Sequence, residues 1–179
     1  MSLKRNNLKR LGILGGTFDP PHFGHVEISK FTLKKFKLSS LIWAVTKKNP
    51  LKKPPVMNLK ERVNLSKKKV KKIKKIKVKS FDKLIKSSKT ISLVRYIKKK
   101  NDSKIYLIMG SDNFIKFHKW DYWREIAEIC KIVVYPRNGY VKKTLSCKAI
   151  KVLGRRKVLF LKSKKINISS SKIRKNYLR

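Results

Sequence analysis

Short apolar runs alternate along this chain with longer segments whose apolar residues recur at helical spacing. This alternation constrains the fold more than any other feature. The apolar runs predict strands at residues 11–14, 40–45, 76–81, 104–109, 131–136 and 157–161. The intervening segments predict helices over 25–37, from Leu59 with Asn58 as N-cap, from Thr90, over 122–129 and over 169–178. Strands and helices that alternate through short connections form βαβ units, so we expect an α/β fold with a mainly parallel sheet and helices on both faces.

The length and composition predict one folded domain. The chain has 179 residues, of which 41% are apolar and 9% aromatic, enough to bury a substantial core. The sequence shows no internal repeat and no separate linker. We therefore expect a single domain over residues 1–179, with residues 1–10 as a basic N-terminal extension.

The charge is strongly unbalanced, since 50 Lys and Arg face nine Asp and Glu, for a formal net charge of +41. One interpretation is a nucleic-acid-binding protein, because clustered cations release counterions from a polyanion. The other is compositional bias, which we favour because the lysines are spread over the whole chain. We then expect nonspecific affinity for polyanions but no specific nucleic-acid partner. The lysine run at 67–79 predicts a solvated face, with Ile73, Ile76 and Val78 turned to the core.

The two cysteines, Cys130 and Cys147, lie in no CxxC motif. A disulfide framework or a zinc site is therefore not expected, and reduced thiols in the cytoplasm fit this pattern. The apolar run near the N-terminus is too short for a secretory signal. No stretch approaches 18 consecutive apolar residues, so no membrane span and no membrane partner are expected.

The stretch "GGTFDPPHFGH", residues 15–25, follows the first predicted strand and precedes a helix. Gly15 and Gly16 would let backbone amides approach a phosphate closely, although a tight turn also explains them. The stretch matches neither the dinucleotide fingerprint GxGxxG nor the phosphate loop GxxxxGK[ST]. His22 and His25 would both reach the helix N-terminus, where the helix dipole favours an anion. Zinc would need a third ligand, and only His118 remains, so we expect no metal bound by these histidines.

Other distinctive stretches also follow predicted strands: "TKKNPLKK", "GSDNF" and "SSSKIR". Ligands of open parallel sheets bind beyond the carboxyl ends of the strands. The sequence therefore predicts one ligand site at that edge, assembled from all four stretches.

Two of these stretches carry a family resemblance. "GGTFDPPHFGH" resembles the HxGH signature of the nucleotidylyltransferase superfamily, and "ISSSKIR", residues 168–174, resembles its second signature, ISSTxxR. Within the superfamily the chain most resembles the bacterial nicotinate mononucleotide adenylyltransferases, and "GSDNFIKFHKW" resembles their GxD segment followed by Trp. The resemblance runs from about Leu11 to Arg174 and implies a Rossmann-like nucleotidylyltransferase fold.

The resemblance also implies the reaction and its site. The reaction would be adenylyl transfer from ATP to nicotinate mononucleotide in NAD biosynthesis, with Mg²⁺ on the phosphates. The catalytic residues would be His22, His25 and Arg174; ATP and its phosphates would contact Gly15, Gly16, Thr17, Lys52, Asp112, Ser169, Ser170 and Ser171; nicotinate mononucleotide would contact Thr90 and Trp120.

Several alternatives remain open at this stage. Asp112 also fits a helix N-cap, Trp120 fits core packing, and Lys52 is one of many lysines. The acceptor could instead be nicotinamide mononucleotide or phosphopantetheine, although phosphopantetheine adenylyltransferases usually carry Thr at the position of His22. A monomer and a small homo-oligomer are both compatible with the sequence.

Overall fold

We describe the protein from a computed structural model, which covers residues 8–100, 102–161 and 173. In this part of the chain, six parallel strands form one sheet in the order β3-β2-β1-β4-β5-β6. The strands are β1 (Lys9–Gly16), β2 (Ser40–Val45), β3 (Ile76–Lys79), β4 (Ser103–Gly110), β5 (Cys130–Tyr135) and β6 (Val158–Phe160). This is the strand order of the doubly wound dinucleotide-binding folds, in which the order reverses between β1 and β4.

Helices cover both faces of this sheet within the described residues. They are α1 (Phe23–Lys35), α2 (Leu59–Val70), α3 (Thr90–Lys100), α4 (Ser111–Phe114), α5 (Trp123–Ile129), α6 (Val141–Leu145) and α7 (Lys148–Leu153), with a 3-10 turn at Phe117–Lys119. Two buried apolar clusters result, one containing Ile13, Leu107 and Ile132 and the other containing Trp43, Ile108 and Val133. Successive residues of a strand point to opposite faces, so Leu107 and Ile108 belong to different clusters. The predicted α/β class, with its parallel sheet and two helical layers, is confirmed.

Most predicted elements are confirmed to within two residues. The strand β2 covers the predicted residues 40–45. The helix α2 begins at the predicted Leu59, after Asn58, whose side chain accepts a hydrogen bond from the Glu61 backbone N–H at 2.9 Å. The predicted start of α5 at Tyr122 was wrong. Tyr122 has φ 52°, a left-handed conformation that cannot continue a helix, so α5 starts at Trp123.

The lysine run behaves as the sequence predicts. Its lysines are exposed, whereas Ile76 is buried and Ile73 and Val78 are half-buried against the core. The last predicted helix, over 169–178, lies outside the described residues except for Ile173, which is helical. Among the described helices, none is long and apolar enough to cross a membrane.

Candidate active site

The carboxyl ends of the strands border a cavity of about 440 Å³. Residues after β1, after β2, at the start of α3 and after the 3-10 turn contribute to its wall. Six of the residues predicted from the sequence line it: Gly15, Gly16, Thr17, Lys52, Thr90 and Trp120. Residues separated by more than 100 positions in the chain thus share one cavity beside the point where the strand order reverses.

The His22 and His25 rings lie together at the N-terminus of α1. His22 is the N-cap residue of this helix, and the two ring centroids are 3.8 Å apart. The His25 ring also packs against Phe18, with a centroid distance of 4.7 Å, and against the edge of Trp43 at 5.8 Å. This aromatic packing fixes the position of the pair.

A hydrogen-bonded chain attaches α1 to β2 behind the histidines. The indole N–H of Trp43 donates to Ser29 Oγ at 2.8 Å, and the Ser29 hydroxyl donates to the His25 carbonyl at 2.7 Å. Trp43 and Ser29 are fully buried. Because buried polar groups require partners, this pairing specifies how α1 is seated on the sheet.

Both imidazoles are neutral at pH 7. Burial, helped by the positive charges of Arg137 and Lys69, lowers the pKa of His22 to about 4. Burial holds the pKa of His25 well below its usual value, helped by repulsion from a protonated His22 and by the charges of Arg137 and Lys52. The His22 backbone N–H donates to His25 Nδ1 at 3.2 Å, so the single proton of the neutral His25 ring is on Nε2. His25 is therefore a neutral hydrogen-bond donor through Nε2.

Neither ring nitrogen of His22 makes a hydrogen bond within the described residues, although the ring faces the backbone N–H of His25 in the capping box of α1. Both nitrogens are buried, and the residue is 6% exposed. Buried polar atoms without partners are rare in proteins and indicate a functional role or a missing ligand. The N-terminus of a 13-residue helix, with a partial positive charge, lies at the same place. The pair suits an anionic ligand.

Three charged side chains surround the ends of β4 and β5. Asp112 lies 3.6 Å from Lys52 Nζ and 3.2 Å from Arg137 Nε. Arg137 donates to the Tyr135 hydroxyl at 2.9 Å. Burial lowers the pKa of Lys52, and the Asp112 carboxylate partly opposes this effect. One carboxylate thus holds two cations at the cavity edge, and these cations keep an excess positive charge there.

Gly110 allows this cluster to form at the end of β4. A Cβ on Gly110 would come within 3.0 Å of both Asp112 Oδ1 and Arg137 Nε, and within 3.1 Å of Tyr135 Cζ. Cβ atoms essentially never approach other atoms so closely. The close approach of these side chains to the strand therefore requires glycine here.

Thr90 and Trp120 lie at another part of the cavity wall. Thr90 begins α3, and Trp120 packs edge-on against the buried Phe117 with a centroid distance of 5.4 Å. Next to them, Lys89 Nζ and Asp121 Oδ2 form an exposed ion pair of 3.0 Å. This part of the wall offers an aromatic surface, a hydroxyl and a cation that is paired with a carboxylate. Within the described residues, no three His, Cys, Asp or Glu side chains come close enough together to hold a metal ion.

The comparisons with known proteins agree with this geometry. The model of the cytidylyltransferase-like family matches residues 13–176. A protein named "probable nicotinate-nucleotide adenylyltransferase" in Pelagibacter ubique is 44% identical over 174 residues, which cover 95% of this chain and 97% of that protein. Its namesake in Aquifex aeolicus is 32% identical over 164 residues, covering 89% and 98% of the two chains. This chain belongs to the nicotinate-nucleotide adenylyltransferase family.

Solved structures show the same fold. The nicotinic acid mononucleotide adenylyltransferase of Plasmodium falciparum complexed with NaAD superimposes with a TM-score of 0.73. The sequences are 18% identical, and the match covers 93% of this chain and 83% of the other. The Rossmann-like nucleotidylyltransferase fold expected for a member of this adenylyltransferase family is confirmed.

The structure places most, but not all, of the site residues predicted for this adenylyltransferase. Asp112 does not line the cavity but is joined to it through Lys52. His22 and His25 do not line the cavity either, but the charge of Arg137 lowers the pKa of both, and the charge of the cavity residue Lys52 lowers that of His25. Four predicted residues lie outside the described part of the chain: Ser169, Ser170, Ser171 and Arg174.

The sequence analysis missed two arginines at this edge of the adenylyltransferase sheet. Arg137 follows β5, so the rule that ligand groups follow strand ends would have found it. Arg62 lies on α2 and is 2% exposed, and its guanidinium donates to backbone carbonyls after β1 and β2. Nothing in the sequence distinguishes Arg62 from the other 49 Lys and Arg residues, because only its burial in the folded protein marks it as a candidate.

Proposed function

We propose that this protein transfers the adenylyl group of ATP to nicotinate mononucleotide, giving nicotinate adenine dinucleotide and pyrophosphate in NAD biosynthesis. The observation that carries the proposal is the neutral, buried His22–His25 pair at the N-terminus of α1, beside a cavity lined by Thr90 and Trp120. The family membership of the chain supports the same reaction.

The chemistry needs alignment and charge stabilisation rather than a protein nucleophile. A phosphate oxygen of nicotinate mononucleotide attacks the α-phosphorus of ATP, and the bond from that phosphorus to the bridging oxygen breaks. The electron pair of the broken bond leaves with pyrophosphate. Negative charge builds on the departing oxygen and around the α-phosphorus, where preorganised donors act most strongly. His25 Nε2–H is such a donor, and the unpaired ring of His22 supplies a second one.

The phosphates of ATP are held by backbone amides and cations. Gly15 and Gly16, the last two residues of β1, and Thr17 directly after them line the cavity, and we assign the two amides and the hydroxyl to the phosphates. Lys52 and Arg137 supply positive charge at the ends of the neighbouring strands. We further assign the binding of the β- and γ-phosphates to the residues of the second signature, as the family resemblance implies. These residues are Ser169, Ser170, Ser171 and Arg174. Mg²⁺ enters as the ATP complex, as is usual for this ion, and neutralises phosphate charge.

The nicotinate ring of the acceptor stacks on Trp120, and its carboxylate lies beside Thr90 and the free amides at the start of α3. A carboxylate gains from the excess positive charge of this chain, and a carboxamide does not. The acid should therefore be preferred over the amide.

Pyrophosphate release from ATP tests the proposal, with nicotinate mononucleotide, nicotinamide mononucleotide and phosphopantetheine compared as acceptors. We expect the acid to exceed its amide by at least about tenfold in kcat/KM, equivalent to about 1.4 kcal/mol. Equal turnover of acid and amide would contradict the assignment of the acceptor. Turnover of phosphopantetheine alone would move the chain to a sister nucleotidylyltransferase activity.

Nucleic acid is not part of the proposed function. The exposed lysines are distributed over helices and strands, whereas the residues proposed to bind the substrates lie together around one cavity. RNA or DNA should bind weakly and without sequence preference. We place the protein in the cytoplasm, as a monomer or small homo-oligomer, with Cys130 and Cys147 as buried free thiols.

A further inference from the structure

We propose that Arg62 is a positioning residue for adenylyl transfer, which holds the loops after β1, β2 and β3 in the arrangement that the nucleotide requires. The inference rests on the proposed function. It starts from a guanidinium that is 2% exposed, lies behind the cavity wall and bonds to backbone atoms. Arg62 touches neither substrate nor reacting atoms in this proposal and acts through the loops.

Arg62 replaces the sheet hydrogen bonds where β1 and β2 separate. The last backbone bond between these strands is donated by the Thr46 N–H to the Gly16 carbonyl at 3.0 Å. Beyond this bond, the carbonyls of Thr17 and Thr46 both accept from Arg62 Nη1, and Nη2 donates to the Lys47 carbonyl at 3.2 Å. Carbonyls that leave the sheet need new donors, and here one side chain donates to three of them. The strands can therefore part and open the cavity without leaving these carbonyls unpaired.

Two carboxylates complete the attachment of the loops. Asp19 accepts hydrogen bonds from the backbone N–H groups of Val56 and Met57, at 2.9 and 3.0 Å. Arg62 Nε donates to the carbonyl of the same Met57 at 2.9 Å. The segment before α2 is therefore held from both sides, by the loop after β1 and by the first turns of its own helix.

The second carboxylate belongs to the loop after β3. Asp82 Oδ2 accepts from the Lys47 N–H at 2.7 Å and from the Thr46 hydroxyl at 3.0 Å. The charges of Asp19 and Asp82 both favour the protonated guanidinium of Arg62, against its burial. The chain has nine acidic residues in total, and two of them flank this one cation.

The network ends at the residues that face the nucleotide. Thr17, Thr46 and Asp82 all line the cavity, and Thr17 directly follows the two glycines whose amides are assigned to the phosphates. A shift of these loops by about 1 Å would misalign the α-phosphate with the donor on His25, and misplacement of this size can cost about 100-fold in rate. Arg62 thus connects the fold of α2 to the geometry of the reaction.

The test compares Arg62→Met and Arg62→Lys with Val70→Ala, at a temperature well below every Tm. Val70 is buried on the same helix but packs in the apolar core, so its truncation destabilises α2 without touching the loops. We expect Arg62→Met to lower kcat between about 10- and 100-fold and to weaken ATP binding measured by calorimetry. Arg62→Lys, which keeps the charge but not the planar donors, should lie between it and wild type. Val70→Ala should lower Tm and keep wild-type kcat and KM.

Chemical rescue gives an independent readout. Guanidinium chloride at millimolar concentration, far below denaturing levels, should restore part of the kcat of Arg62→Ala, whereas sodium chloride at equal ionic strength should not. If none of the three Arg62 variants folds, Asp82→Asn tests the same network from its half-buried side and should weaken ATP binding. Folded Arg62 variants with wild-type kcat, KM and ATP affinity would overturn the inference. A wild-type protein that binds ATP but uses no acceptor would instead refute the proposed function.

Discussion

Gly110→Ala is the substitution whose effect follows most directly from the structure. The added Cβ would come too close to Asp112 Oδ1 and Arg137 Nε, which themselves form an ion pair of 3.2 Å. Neither atom can move away freely, because Asp112 also faces Lys52 and Arg137 also donates to Tyr135. The methyl group therefore forces the ion pair apart.

The expected cost can be estimated from the burial of this pair. Both side chains are 19% exposed, so the pair is mostly removed from solvent. Overpacking at a buried site costs about 1–3 kcal/mol, and Asp112 keeps Lys52 as a partner, so we expect about 2 kcal/mol. In a protein of 150–250 residues, this corresponds to a fall in Tm of roughly 4–8 °C. Lys52 and Arg137 are the cations that we assign to the phosphates of ATP, so their displacement should also lower kcat/KM at least about tenfold.

Calorimetric unfolding and steady-state kinetics measure the two effects. Gly15→Ala is the matched stability control, since a Cβ at Gly15 meets no atom within 4 Å and should leave Tm unchanged. In an Asp112→Ala background the Cβ loses its nearest neighbour, so Gly110→Ala should cost less stability there. Wild-type Tm and kcat/KM in Gly110→Ala would refute the claim that this close approach is needed.

Three further predictions concern charge and the histidines. His25→Ala should lower kcat by about 100- to 1000-fold with little change in ATP binding, because one preorganised donor is lost; a folded variant with near-normal kcat would exclude the proposed role. The pKa of His22 falls from 6.5 to about 4 on folding, so the unfolded state binds more protons between these values. Stability should therefore decrease by up to about 3 kcal/mol as the pH falls from about 7 to 4, and urea titrations of wild type and His22→Asn should show a smaller decrease in the variant. Adenylyl transfer should survive when exposed lysines at the end of α2 and after it are replaced by Gln. Filter binding should show that the affinity of the protein for RNA is weak and steeply salt-dependent. A sequence-selective complex at physiological salt would favour the nucleic-acid interpretation. The lysines to replace are Lys67, Lys68, Lys71 and Lys72, while Lys69 is kept because its charge acts on the pKa of His22.

The sequence is a good guide to the elements whose pattern is local. The run "SLIWAV" predicts β2 because a buried parallel strand needs continuous apolar residues, and Asn58 marks the start of α2 because its side chain caps the helix. Short helices such as α4 and α6 were not predicted, since four or five residues carry too little periodicity.

The candidate site also has features that the sequence predicts and features that depend on the tertiary fold. The position of Gly15 and Thr17 at a strand end predicts their place at the cavity, and the family resemblance adds Thr90 and Trp120. The low pKa values of the histidines could not be predicted, because they depend on burial and on charges brought from distant parts of the chain. For the same reason, Arg62 has no signature that a sequence pattern could detect.

The open edge of the sheet at β3 bears on how this protein stays dispersed. An edge strand exposes unpaired N–H and C=O groups that can pair with another chain, and among the described strands β3 bonds to β2 alone. Lys77 and Lys79 are exposed on this strand, and a second copy approaching it would bring the same cations into contact. At low ionic strength this repulsion opposes edge-to-edge pairing, but at about 1 M salt the Debye length is only about 3 Å and little of the repulsion remains. The abundance of lysine thus protects against aggregation to a degree set by the salt concentration around the protein.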